Sequence, residues 1–129
     1  MGSIPLSLAF IAVGATLGAW LRWGLSLWLN ARLPMLPLGT LAANLVGAYL
    51  IGMAVGFFND WPQLSPEWRL LAITGFLGGL TTFSTFSAEA MLLLQQRDYL
   101  AIMLHAGMHL LGSVALCIAG LATWRWLSA

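Results

Sequence analysis

The chain has 129 residues, 60% of them hydrophobic and 7% charged, with a mean hydropathy of +0.90. Soluble domains carry about 25% charged residues, so this chain cannot cover a water-facing surface; a soluble enzyme, a disordered tail and a nucleic-acid binder are excluded. Five Lys+Arg, all of them arginine, against four acids give a net charge of +1 and no basic patch for phosphates.

A membrane-spanning helix needs about 20 mostly apolar residues. Met1 to Leu21 carries no charge; Arg32 and Asp60 bracket a second charge-free stretch, Arg69 and Glu89 a third, Asp98 and Arg125 a fourth. Each is long enough to cross a bilayer once and too short to cross twice. We therefore expect an all-α integral membrane protein, a single domain 1–129 with spans over about residues 4–29, 38–59, 67–95 and 99–126. The first stretch has no basic flank and exceeds the roughly 7–15-residue apolar region of a secretory leader, so it is expected to remain as a span. The lone cysteine, Cys117, lies in an apolar span and reads as a small hydrophobe.

The breaks carry turn chemistry. Asn30–Pro37 holds two prolines and Asn59–Pro66 two more, and Gln95–Asp98 is a short polar link. Ser65-Pro66-Glu67 reads as a helix start, with Ser65 as N-cap and Pro66 in the first helical position. Trp23, Trp28, Trp61, Trp68, Trp124 and Trp126 fall near span ends, as an aromatic belt predicts.

Four spans place Arg69 and Arg125 on one side and Arg32 and Arg97 on the other, with Arg22 leaning toward the latter. That is almost no positive-inside bias. Either a weak bias still selects one orientation, or the chain inserts both ways and pairs head to tail. Gly14 and Gly18, Gly52 and Gly56, and Gly75 and Gly79 are each four apart, the spacing of close helix contacts. They serve packing within the chain, a homodimer, or both; a four-helix chain is too thin to enclose a pathway alone, so we expect a homodimer.

Polar groups inside a membrane are expensive, and the third span is dense with them. Gly75, Gly78 and Gly79 lie at mid-span and precede Thr81 and Thr82. Glycine costs a helix about 1 kcal/mol relative to alanine, and threonine is a weak helix former. The helix is expected to break there and free carbonyls for water, another helix or a bare cation. Phe83 and Phe86 then stack at i, i+3, as do Ser84 with Ser87 and Thr82 with Thr85. Ring edges are electropositive and hydroxyls donate hydrogen bonds, so such a ridge can replace the water shell of a small anion without a fixed positive charge. The alternative is hydroxyls bonded back to their own helix and phenylalanines facing lipid.

Asn44, with Thr40 one turn before it, offers an amide in the second span, to donate to an ion or to tie helices. Ser113 is a weaker case in the fourth. Glu89 belongs to a pathway or reaches the interface, and Arg22 attracts anions, pairs with a carbonyl or pairs with Glu89. His105 and His109, at i, i+4, can present two metal ligands on one face. Any acid ligand would have to come from Glu89, and hydrogen bonding between helices is the favoured reading. No nucleophile–base pair, phosphate loop or redox motif is visible.

Gly-Gly-Leu-Thr-Thr-Phe-Ser-Thr-Phe-Ser at 78–87 closely resembles the signature of the Fluc (CrcB) fluoride channels. Gly39-Thr-Leu-Ala-Ala-Asn-Leu45 looks like that family's second-span motif, Leu21-Arg-Trp23 its first, and His109…Gly112-Ser113 fits its fourth. The resemblance implies a bacterial inner-membrane, antiparallel, dual-topology homodimer that lets fluoride leave the cytoplasm passively. Two pathways are implied, each lined by both copies, and the third helix is broken at mid-span. It also implies a structural Na+ between the copies, held by main-chain carbonyls that fall here on Gly78 and Thr81. The fluoride path carries over to Asn44, Phe83, Phe86, Ser84, Thr85, Thr40, Ser113 and Glu89, and the vestibule to Arg22. Fluoride, a second copy and membrane lipid are the partners; no organic cofactor and no nucleic acid are expected. A proton-coupled multidrug exporter of the four-span antiparallel type would resemble its relatives in a first-span glutamate, which this chain lacks. A non-transporting assembly subunit would need no aligned hydroxyls.

Overall fold

Residues 3–32 and 37–129 are described by a computed structural model, and their regular structure is entirely helical. Four helices are long and apolar enough to cross a membrane: α1 (Ile4–Asn30), α2 (Leu38–Asp60), α3 (Pro66–Gln95) and α4 (Tyr99–Leu127). Part of the proline-rich turn expected at Asn30–Pro37, residues 33–36, lies outside the described residues.

The helix starts follow local chemistry. The Ser3 hydroxyl accepts Leu6 N–H at 3.3 Å ahead of α1, and Asp98 Oδ1 accepts Ala101 N–H at 3.2 Å ahead of α4. Ser65 precedes α3 as expected, but its hydroxyl donates to the Glu67 carboxylate and caps no backbone N–H. Between α3 and α4 the chain reverses through Arg97, at φ 56°. Asp98 N–H closes back onto the Leu93 carbonyl at 3.1 Å, the wrap that usually employs glycine at this left-handed position.

Packing pairs α1 with the first half of α3, and α2 with α4. All three glycine pairs are used inside the chain. A methyl carbon built on Gly75 would sit 2.8 Å from the Ile11 carbonyl oxygen, and one on Gly79 2.5 Å from that of Ala15. Gly14 and Gly18 face the same seam from α1, against Leu71, Phe76 and Leu80 backbone. Gly52 meets Cys117 backbone, and Gly56 meets the Trp124 ring. The α2–α4 seam is also stitched by polar contacts. Tyr49 donates to the Thr123 hydroxyl at 2.8 Å, and Trp124 Nε1–H donates to Asp60 at 2.7 Å. The small core consists of Ala43, Leu77 and Leu80, with Leu25, Leu50, Ile51 and Phe76 against it.

α3 is not a uniform helix. After one α-turn (Pro66–Arg69) it widens to i→i+5 bonding over Leu70–Leu77, then closes one short turn at Gly78–Leu80. Thr81 (φ −87°, ψ 152°) and Thr82 (φ −149°, ψ 124°) are extended, and helix resumes at Phe83–Gln95. The interruption therefore falls on the two β-branched threonines and not on the glycines. Gly75, Gly78 and Gly79 stay helical, and Gly75 and Gly79 are small so that α1 can approach.

Gly79→Ala is expected to destabilise the fold by about 1–3 kcal/mol, because its methyl has only α1 backbone to displace. Gly24→Ala, with nothing within 4 Å of the added carbon, should be neutral or stabilise by up to about 1 kcal/mol. The temperature at which each purified variant loses its monodisperse peak in detergent checks both.

Candidate functional site

Extended residues in mid-helix leave backbone groups that hydrocarbon cannot satisfy. Thr81 N–H still closes onto the Leu77 carbonyl at 3.0 Å, but the next bonds are diverted. Thr82 N–H, which would complete the turn at Gly78, donates to Asn44 Oδ1 at 2.7 Å, and Asn44 Nδ2 donates back to the Thr82 carbonyl at 3.0 Å. One side-chain amide from α2 thus brackets one residue of α3. The Gly79 carbonyl accepts Arg22 Nε–H from α1 at 3.0 Å. Thr85 N–H, which would have closed on the Thr81 carbonyl, turns to the Thr82 hydroxyl at 3.2 Å and starts the second half. The carbonyls of Gly78 and Thr81 thereby lose their α-helical partners, the N–H groups of Thr82 and Thr85.

Asn44 is committed in a second direction: Nδ2 lies 3.0 Å from His109 Nδ1. The bracket settles the orientation, since Oδ1 faces an N–H and Nδ2 a carbonyl; the flipped amide would set acceptor against acceptor. The remaining Nδ2 proton points at His109 Nδ1, which accepts, and the neutral imidazole carries its hydrogen on Nε2. His105, one turn earlier, donates from Nε2 to the Phe86 carbonyl at 3.3 Å. Its ring lies flat on Phe86, with centroids 4.8 Å apart and planes 11° from parallel. One face of Phe86 is thereby covered, and His109 stands tilted against the same ring, with centroids 4.7 Å apart and planes at 51°. Phe83 stands 5.5 Å from Phe86 and is 79% exposed.

An open groove of about 440 Å³ gathers Asn44, Gly78, Thr81, Thr82, Phe83, Phe86, His109 and Ser113. Ser84 and Thr85 are not on its lining; their hydroxyls meet the Thr82 hydroxyl, each at 3.2 Å. Ser87 is bonded back to the Phe83 carbonyl at 2.9 Å, so the hydroxyl ridge is shorter than its sequence pattern. Thr40 is buried and donates to Glu89 at 3.1 Å. Glu89 belongs with Thr40, His105 and His109 in a second cluster. Of the alternatives open for Arg22, the structure takes the carbonyl. Sequence reasoning missed that Asn44 serves the main chain of Thr82; the signal for it is an amide in one span facing a helix-breaking Thr-Thr in another.

The CrcB family, described as "CrcB-like protein, Camphor Resistance (CrcB)", matches residues 9–121. A protein of Cupriavidus pinatubonensis named "Fluoride-specific ion channel FluC" is 60% identical over 124 residues, 96% of this chain and 98% of its own length. Proteins of the same name from Ralstonia nicotianae and Pseudomonas putida are 61% and 56% identical, over 91% and 95% of this chain and 93% and 96% of their own.

Asn44→Leu keeps the side chain's size and strands both Thr82 groups. Each buried unsatisfied group costs about 1–3 kcal/mol, so the variant is expected to lose several kcal/mol and to expose the interruption. Faster hydrogen exchange at the amides of residues 82–85 than in the wild type, measured in detergent by mass spectrometry, checks it.

Proposed function

Because this chain belongs to the CrcB family, we propose that it is a fluoride-selective ion channel that lets fluoride leave the cytoplasm passively; it is not an enzyme. The observation that carries the reading is the open groove, where two phenylalanines and neutral donors stand together and no fixed cation lines the wall. A small anion entering an apolar wall must exchange its water for other donors, as backbone dipoles and side chains do in channels. Phe83 and Phe86 supply electropositive edges, and Ser113 a hydroxyl in the same groove. Ser84 and Thr85 extend the hydroxyls along α3, and Thr40 and Glu89 close the polar path at its far end. Asn44 has one proton fixed by Thr82. The other points at His109 Nδ1 and becomes available to an ion when that ring moves aside. No arginine or lysine lines the groove to trap the ion, and Arg22, held on the Gly79 carbonyl, is assigned to the vestibule.

The groove is open along one side and Phe83 is largely uncovered, so a second copy is assigned the missing wall. We place the two copies antiparallel in the bacterial inner membrane, in keeping with the near-equal arginine counts of the two sides. The glycine pairs do not contribute to that contact, since each is filled from within the chain. The carbonyls of Gly78 and Thr81, released from their α-helical partners, fit a bare monovalent cation, and two copies would offer four such oxygens. When bound there, Na+ supplies the positive charge that satisfies these oxygens and joins the copies.

Purified protein in liposomes, with valinomycin clamping the voltage, is expected to release fluoride rapidly and chloride negligibly, as read by ion-selective electrodes. Phe83→Ile and Phe86→Ile should each slow release at least about tenfold, the scale of one lost contact worth about 1.4 kcal/mol, while the protein keeps its elution volume. Equal release of both anions, or wild-type rates in both variants, overturns the reading.

A further inference from the structure

We propose that Glu89, His105 and His109 form a binding site for a divalent transition-metal cation of the Zn2+ class, separate from the carbonyls at the interruption of α3. His105 and His109 stand one turn apart on α4, both buried (6% and 7% exposed), with ring centroids 4.6 Å apart. Glu89 arrives from the second half of α3. One ligand atom from each of the three lies within 4.8 Å of the others. Two atoms of this cluster, Glu89 Oε1 and His109 Nε2, are buried and have no hydrogen-bond partner. An imidazole more than nine-tenths buried with an unpartnered nitrogen beside an unpartnered carboxylate oxygen is not explained by helix packing alone, since buried polar atoms are normally satisfied.

The donor set selects the ion. Two imidazoles and one carboxylate are a common set for Zn2+ and its neighbours, and they leave a fourth position open. Mg2+ and Ca2+ take oxygen ligands and suit the cluster poorly. His105 is ready to ligate: its Nε2–H is engaged by the Phe86 carbonyl, so Nδ1 keeps its lone pair. His109 is not. Its Nδ1 accepts from Asn44, so the hydrogen sits on Nε2, the nitrogen left free in the cluster. Coordination through Nε2 moves that hydrogen to Nδ1, which then needs an acceptor. Asn44 can offer its oxygen only by releasing Thr82 N–H. Metal binding and the Asn44 bracket therefore compete, and a bound cation loosens the interruption of α3.

The site itself stands on the cluster's geometry; its effect on flux rests on the channel reading above. Full-length protein in detergent is titrated with Co2+ as the probe. We expect about one Co2+ per chain with the strong visible absorption of a tetrahedral site, bleached by Zn2+. Glu89→Gln and His105→Gln should each weaken Co2+ at least about tenfold. Asn44→Asp should tighten it by a similar factor, because a carboxylate accepts from Nδ1–H and aims Nε2 at the metal. Zn2+ added to wild-type liposomes should slow fluoride release. No tetrahedral absorption in the wild type, or absorption unchanged in both ligand variants, overturns the site. Co2+ binding with zinc-insensitive flux overturns the competition with Asn44. Absent fluoride flux without metal, with Co2+ binding intact, counts against the channel reading alone.

Discussion

The side-chain amide of Asn44 takes over two backbone bonds that Thr82 surrenders when α3 leaves the helix. In hydrocarbon each unsatisfied peptide group costs several kcal/mol, so an extended pair of residues at mid-span persists only where another element supplies both a donor and an acceptor. A primary amide does so with a single side chain. The rest of the site follows from that bracket. Thr82, held outside the helix, turns its hydroxyl to cap the second half; Phe83 and Phe86 start that half; and Arg22 takes the Gly79 carbonyl left open on the opposite flank.

Holding the interruption in register requires the first half of α3 to be immobile, and the glycines provide this. Where Gly75 and Gly79 meet Gly14, Ala15 and Gly18, the two backbones approach until no methyl fits between them. Contact that close is the main source of helix association in a solvent as apolar as the side chains themselves. The wide turns over Leu70–Leu77 lie along the same seam.

How much of this was legible in the sequence differs by level. Four charge-free stretches announced four helices because a bilayer sets both length and composition. The interruption was legible within a few residues as the joint effect of the glycines and the threonines; the structure assigns it to the threonines alone, because propensity scales cannot tell a glycine that breaks a helix from one that lets a neighbour in. Phe83, Phe86, Asn44 and Ser113 line one groove. Ser87 does not join the hydroxyl ridge, since its own helix offers the Phe83 carbonyl first. Glu89 beside the two histidines was legible as the acid on offer and not as a neighbour: i, i+4 spacing displays the imidazoles, but only the packing of α3 on α4 brings the carboxylate to them. The bracket on Thr82 went unread, because an amide opposite a Thr-Thr pair shows that a polar partner is on offer and not which backbone groups it meets.

The seams join helices that are not neighbours in the chain: α1 packs on α3, and α2 on α4. The α1–α2 hairpin enters first and is held near its turn, where Gly39 sits against Ser26 backbone and gives its N–H to Asn30 Oδ1, but both glycine seams still lack their partners. While the chain emerges from the ribosome, α1 waits with its glycine face open to lipid until α3 arrives, and α2 waits with Asn44 unbonded to Thr82 until the same moment. The close packing is then completed late. Chains stopped before the third span hold the α1–α2 hairpin and neither glycine seam, and the polar amide of α2 stays a mark of incompleteness that membrane quality control can read until Thr82 and His109 have arrived.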